Sequence, residues 1–243
     1  MRVLAVVHQD DAGPGVFAEA ALERGSLELW HPGEELGPRL VEVDPDAVMV
    51  FGGAMNAHEE DRYPWLRREK AWLAGLLERR VPVLGVCLGS QLLAEAAGGH
   101  VRRAPQPEIG WYPVALEPVA AGDPLMAAMD TPFSSFQWHS YEAVPPSDAQ
   151  ALARSSICLQ AYHLSGLPAW GIQFHAEVSP PTLEHWIRDY RSDADAVAMG
   201  LQPEAMLADS APAIGAWNDL GRALCGRFLD AAAASRELHS GVM

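Results

Sequence analysis

Val81-Pro82-Val83-Leu84-Gly85-Val86-Cys87-Leu88-Gly89-Ser90-Gln91-Leu92-Leu93-Ala94-Glu95-Ala96-Ala97-Gly98-Gly99 reads as a buried strand that turns directly into a helix. Val81 to Val86 is a short, β-branched apolar run, the residues from Ser90 to Ala97 favour helix, and Gly98-Gly99 stops it. Cys87 therefore stands at a strand-to-helix corner, between Gly85 and Gly89. A side chain at such a corner points out of a strained backbone, which demands small neighbours, and lies at a helix N-terminus, where the dipole favours a thiolate. The chemistry this supports is acyl transfer through a thioester. The corner alone leaves an ordinary packed cysteine open as an alternative, because free cysteine behaves as a small hydrophobe and unrelated enzymes share the elbow.

A cysteine nucleophile needs a base, and the base needs a group to hold its tautomer. Trp170-Gly171-Ile172-Gln173-Phe174-His175-Ala176-Glu177 is an extended run that ends in a histidine and a carboxylate two positions apart, which places both on one face of a strand end. His175 and Glu177 fit those two roles. Val48-Met49-Val50-Phe51-Gly52-Gly53-Ala54-Met55-Asn56 is a second buried strand, running into paired glycines that let backbone N–H groups approach a ligand, as an oxyanion hole requires. Gly53 would supply one donor and Leu88, just after the nucleophile, the other; the plain alternative for Gly-Gly is a strand-ending turn.

Together these segments resemble the class I glutamine amidotransferases, the cysteine-histidine-glutamate family that includes the glutaminase domain of GMP synthase. Gly85 to Gln91 is similar to its nucleophile segment and Phe174 to Glu177 to its histidine-glutamate segment. Tyr63-Pro64-Trp65-Leu66, Glu108-Ile109-Gly110-Trp111 and Gln137-Trp138-His139-Ser140-Tyr141-Glu142 follow in the family's order. The resemblance implies hydrolysis of a γ-glutamyl amide by Cys87, His175 and Glu177. It also implies an oxyanion hole from Gly53 and Leu88, and a glutamate seat involving Gln91, Ser140, Tyr141 and Glu142. It calls for no cofactor or metal; the substrate is a small molecule, either glutamine or a γ-glutamyl peptide, and a separate synthase subunit is a possible partner. A non-catalytic binding module that kept the fold is a further alternative. Ala54 stands where many members have proline, and His139-Ser140-Tyr141-Glu142 where the synthase domains tend to have histidine-glycine-aspartate. No phosphate-loop pattern G-x-x-x-x-G-K-[ST] is present, which argues against nucleotide-making chemistry in this chain. A cysteine-bearing α/β-hydrolase shares the elbow but places its acid between nucleophile and histidine, whereas Glu177 follows His175.

Composition agrees with such a reading. With 243 residues, 49% of them hydrophobic, the chain can bury about 70–75% of its unfolded surface. Cys87, Cys158 and Cys225 are odd in number and far apart, so neither a disulfide framework nor a zinc spacing is indicated, which favours a cytoplasmic location. A formal net charge of -15 repels a phosphate backbone and argues against nucleic-acid binding. The first residues, Met1 to His8, carry too short an apolar run for a signal peptide, and no segment approaches the ~18 apolar residues of a membrane span.

Strands near residues 2 to 8, 47 to 52 and 82 to 87, separated by helical stretches, predict an α/β fold. The expected architecture is a doubly wound, mostly parallel sheet with helices on both faces and the site at the strands' carboxyl ends. This is the flavodoxin-like arrangement the family resemblance implies. Shorter runs at Trp111 to Leu116, Phe133 to Trp138 and Ile157 to Tyr162 predict an antiparallel portion, followed by a helix from about Pro181 to Arg191. The amidotransferase-like domain is read as residues 1–191 and a C-terminal helical extension, packed on the same domain, as 192–243. In that extension Ile214, Trp217, Leu220, Leu224 and Phe228 recur at helical spacing on a helix of about Ala213 to Ala234, a stripe for the chain's own core or for a lid or subunit contact. Arg67-Arg68-Glu69-Lys70, on a helix from Trp65 to Arg80, mixes signs and reads as a solvated face. His8 has no metal-like pairing and reads as polar packing or surface, whereas His139 is divided between a structural and a substrate-seating role.

Overall fold

The computed structural model describes residues 1–33 and 45–240. Strand and helix alternate at first: β1 (Arg2–Val6), α1 (Phe17–Arg24), β2 (Ser26–Trp30), β3 (Ala47–Val50), α2 (Trp65–Glu78), β4 (Val83–Val86) and α3 (Leu88–Ala96). Five strands follow, β5 (His100–Leu116), β6 (Phe133–Val144), β7 (Gln150–Arg154), β8 (Leu159–His163) and β9 (Ala169–Ile172). The chain then becomes helical, in α4 (Pro180–Arg188), α5 (Ala194–Ala198), α6 (Pro203–Ser210) and α7 (Ile214–Ser240).

Among the described residues the strands form one nine-stranded sheet in the order β2-β1-β3-β4-β9-β8-β7-β5-β6. The pairs from β2 to β9 are parallel and those from β9 to β6 antiparallel, so the expected α/β class and its antiparallel portion are both present. The central parallel strands β3, β4 and β9, and β1 from Val3 onward, are buried at every position because helices cover both faces. Along β1, Val3 and Ala5 enter one core and Leu4 and Val6 the other; along β3, Ala47 and Met49 separate from Val48 and Val50 in the same way. One core is closed by α1, α4 and α7, the other by α2 and α3.

Several strands exceed the sequence reading. β2 is an edge strand with little β-branched character and Leu29 exposed; it exists because the β1 edge offers a parallel ladder from Arg2↔Ser26 to Val6↔Trp30. β5 and β6 run well beyond the apolar stretches that announce them, because each one's polar half pairs with the other's. The register shifts between Arg103 and Glu108, where Pro105 and Pro107 cannot donate to the ladder.

The apolar stripe of α7 is covered by the chain itself. Trp217, Leu224 and Phe228 are buried in the core that holds Phe17 and Trp170, with Ile214 and Leu220 packed at its margin. The helix continues past Ala234 because nothing in Ala234-Ser235-Arg236 breaks it. Among the described residues no helix is long and apolar enough to cross a membrane. Phe228 is fully buried and meets Trp170 edge-on at 6.2 Å between ring centroids. Phe228→Ala is therefore expected to lower stability by about 3–5 kcal/mol, read as the denaturant midpoint at unchanged m-value.

Candidate active site

Parallel pairing puts three strand ends side by side. Val50 of β3 registers with Gly85 of β4, and Val86 of β4 with Ile172 of β9, so Gly52-Gly53, Cys87 and His175 emerge at the same end of the sheet although far apart in sequence. Cys87 occupies the corner between β4 and α3 with φ 52 and ψ -110, a left-handed conformation uncommon outside glycine. Its N–H donates to Ile172 O at 2.8 Å, tying the corner to β9. The flanking glycines are dictated by packing. A Cβ on Gly89 would stand 2.0 Å from Val50 O, and one on Gly85 would stand 2.5 Å from Gly89 O.

His175 and Glu177 are buried, 2% exposed each, and His175 Nδ1 lies 2.7 Å from Glu177 Oε1. Nδ1–H thereby donates to the carboxylate and Nε2 is the nitrogen left for chemistry. Burial disfavours the imidazolium, but the Glu177 carboxylate and the neighbouring Cys87 sulfur outweigh it and raise the His175 pKa to about 10. The two groups are close: a Cβ on Gly52 would be 3.1 Å from His175 Cε1 and 3.7 Å from Cys87 Cβ, so the paired glycines abut the site. The His175 ring meets the edge of Trp186 at 4.9 Å, and Trp186 Nε1 donates to Asp11 O.

The C-terminal helix grips this segment directly. From α7, Trp217 Nε1 donates to His175 O at 2.8 Å and Asn218 Nδ2 to Val178 O at 2.8 Å. Gly221 lets the helix approach so closely that a Cβ there would lie 2.0 Å from Ala176 O.

A cavity of about 420 Å³ opens over Cys87, lined by Gly53, Leu88, Gln91, Ser140, Tyr141 and His175 among others. Among the described residues, no acceptor within the protein meets the N–H of Gly53 or Leu88, which leaves both donors free beside the thiol. Gln91 Nε2 donates to Tyr141 O at 3.0 Å, fixing the wall on which Ser140 and Tyr141 stand. Glu142, expected beside them in the glutamate seat, does not line the cavity; it is buried and accepts from Arg102 Nε at 2.8 Å. The carboxylate is committed to that ion pair.

The sequence reading missed the far wall. Asp189, Ser192, Asp193 and Asp195 line the cavity, as do Gln9, Asp11, Arg103 and Trp138. Asp193 caps α5 through the N–H groups of Asp195 and Ala196 and also accepts from Trp138 Nε1 at 2.9 Å. Asp195 accepts from Ser140 Oγ and from Arg103, each at 2.5 Å, and these contacts hold its carboxyl below the usual range. Asp193 before Ala194-Asp195-Ala196 is a readable helix start, yet nothing local shows that this helix lies over β5 and β6.

His139 lines the same cavity and is held from behind. Its Nδ1 lies 3.0 Å from Tyr141 O and its Nε2 3.2 Å from Glu108 Oε2, both acceptors. Glu108, His139 and Cys158 bring ligand-type atoms within 4.8 Å of one another, the one such group among the described residues. Glu108 Oε2 is already engaged by Gln160 Nε2 at 2.6 Å and by the Cys158 thiol at 3.3 Å, so the cluster is a hydrogen-bonded prop under β6.

A family model described as glutamine amidotransferase class-I matches residues 24–190. The chain is 33% identical to the glutamine amidotransferase-like protein YfeJ of Salmonella typhimurium, over 81% of this chain and 84% of that protein. It is also 33% identical to one of the subunits of the glutamine-hydrolyzing GMP synthase of Saccharolobus solfataricus, over 55% of this chain and 68% of that one. Among solved structures, a glutamine amidotransferase from Thermotoga maritima superposes with a TM-score of 0.82 at 30% identity, covering 94% of this chain and 97% of that one.

Because Trp217 reaches the backbone of His175, Trp217→Phe tests that grip with an aromatic ring retained. The His175 carbonyl then loses a buried donor, which is expected to cost about 1–3 kcal/mol in thermal or chemical denaturation.

Proposed function

The chain belongs to the class I glutamine amidotransferase family, and on that premise we propose that it hydrolyses the γ-amide of glutamine through a thioester on Cys87. The observation that carries this reading is the conjunction of Cys87 at a left-handed corner with the buried His175–Glu177 pair beside it.

In this reading Cys87 attacks as the thiolate, and His175 holds the proton to be donated up to about pH 10. The thiolate attacks the γ-carbonyl carbon, and the electron pair displaced onto oxygen is met by the free N–H groups of Gly53 and Leu88. His175 passes its proton to the amide nitrogen, the C–N bond breaks and ammonia leaves. The now neutral His175 takes a proton from water as that water attacks the thioester, and glutamate departs with the thiolate and imidazolium restored. Glu177 holds Nδ1–H throughout, so that Nε2 faces the chemistry. Gln91, through Tyr141 O, and Ser140 shape the seat of the glutamate portion.

One further feature favours a second substrate. The cavity extends past the nucleophile to Asp11 and the Asp189–Asp195 wall, room that a γ-glutamyl compound with a larger leaving amine would use. The likeness to a GMP synthase component supports the alternative that a separate synthase chain consumes the ammonia.

Glutamate release from glutamine and from γ-glutamyl peptides, with Cys87→Ala as the blank, tests the proposal. Release from glutamine that is lost in Cys87→Ala supports it; release that persists in Cys87→Ala overturns it. His175→Ala is expected to lose about 10²–10⁴-fold in kcat and Glu177→Ala less, because orienting a base contributes less than being one. Activity is expected to fall as pH rises through about 10, where His175 loses the proton it donates. The sign for stability is the same. A folded-state pKa above the ordinary 6.5 gives a contribution fully present below 6.5 and lost as pH rises through about 10, measurable as a drop in Tm on the alkaline side.

A further inference from the structure

His8 and Glu69 form a second buried histidine–carboxylate pair, on the far side of the paired glycines from His175. Both side chains are 0% exposed, and His8 Nε2 lies 3.1 Å from each oxygen of Glu69. The ring is stacked on Trp65 at 5.4 Å with 15° between planes, so it has one orientation. Its other nitrogen, Nδ1, stands 3.0 Å from Phe51 O and 3.1 Å from Gly52 O. Backbone carbonyls only accept, so Nδ1 carries a proton, and Nε2 shares one with Glu69.

The consequence follows from peptide planarity. Gly52 C=O and Gly53 N–H belong to one rigid trans peptide and point in opposite directions. Fixing the carbonyl fixes where the N–H points. Gly53 N–H lies beside Cys87 at the cavity with no acceptor in the protein among the described residues. The next peptide is pinned as well, since Ala54 N–H donates to Gln9 Oε1 at 2.7 Å. Glycine cannot set these planes by itself, having the widest conformational freedom of any residue. A side chain at Gly53 is not an available substitute: a Cβ would stand 2.6 Å from Met55 Sδ and 3.0 Å from His8 Cβ.

We propose that His8, backed by Glu69, is a positioning residue that aims the Gly53 N–H at the developing oxyanion, a task separate from that of the His175–Glu177 pair. The inference rests on the thioester reading given above. The hydrogen bond adds to the orientation, because donation to the Gly52 carbonyl polarises the same peptide and strengthens its N–H as a donor. Burial disfavours the His8 imidazolium, yet Glu69 and the two carbonyls outweigh it and hold the pKa above the ordinary histidine value.

The test compares His8→Leu, which removes the donor, with His8→Asn, whose side-chain amide can place an N–H where Nδ1 stood. His8→Leu is expected to lose about 10- to 100-fold in kcat at nearly constant KM, with much of the loss recovered in His8→Asn. Two alkylating probes separate this from a damaged fold. A γ-glutamyl chloromethyl ketone places a carbonyl oxygen in the oxyanion position, whereas iodoacetamide reacts by direct displacement. His8→Leu is expected to slow the ketone about as much as kcat while leaving iodoacetamide within about threefold. Equal slowing of both probes, or neither slowed, overturns the proposal. The amide resonance of Gly53 in the free protein gives a readout independent of turnover: it is expected to move in His8→Leu and to return toward its wild-type position in His8→Asn. A Gly53 resonance unmoved in both variants also overturns it. Failure of the wild-type protein to react with the ketone would instead count against the thioester reading itself.

Discussion

The left-handed backbone at Cys87 is the constraint on which the remaining architecture depends. A non-glycine residue at φ 52 with ψ -110 is strained and persists where its surroundings hold it. Those surroundings are specific: β4 is locked between β3 and β9, α3 starts immediately after the corner, and the helix start is pressed so close to β3 that Gly89 has no room for a Cβ against Val50 O. The sheet order β3-β4-β9 is therefore both the fold's centre and the reason Cys87 stands where it does.

Around that corner the protein repeats one physical device. A histidine is buried with a carboxylate beside one ring nitrogen, which fixes the orientation of the ring, and the other nitrogen is presented to the site or to the backbone that builds it. His175 with Glu177 faces Cys87, His8 with Glu69 holds Gly52, and His139 with Glu108 stands behind the Ser140–Tyr141 wall. Isolated, a buried ion pair contributes little net stability because desolvation offsets the Coulomb attraction. Its value lies in orientation, and each of these pairs fixes a different wall of one cavity of about 420 Å³.

The helical C-terminal part adds a clamp. The His175–Val178 segment follows a short strand and has few ladder partners of its own, so its backbone is held from outside by Trp217, Asn218 and the close approach at Gly221. The Asp193–Asp195 turn reaches across to Trp138, Ser140 and Arg103 and completes the cavity's far wall. Residues beyond the extent of the matched family model thus supply both the grip on the His175–Val178 segment and part of the cavity wall.

What the sequence determined by itself was local and periodic. The apolar run into Gly85-Val86-Cys87, the His175–Glu177 spacing and the Gly52-Gly53 pair each follow from short-range rules about strands, corners and glycine. Those rules lead to the α/β class seen in the sheet and to the three residues that the fold brings together as the candidate triad. What only the tertiary structure decided was every feature set by partners distant in sequence. Glu69 lies in a mixed-charge run that reads as a solvated face, yet it is 1% exposed because β1 brings His8 to it. Glu142 shares a run with Ser140 and Tyr141 but is taken out of the cavity by Arg102 on the neighbouring strand. β2 and the polar half of β5 are strands because a ladder was available, not because their residues demand one. Periodicity reports which face a residue prefers; only the packed fold supplies the partner that makes a buried charge or an unpromising strand stable.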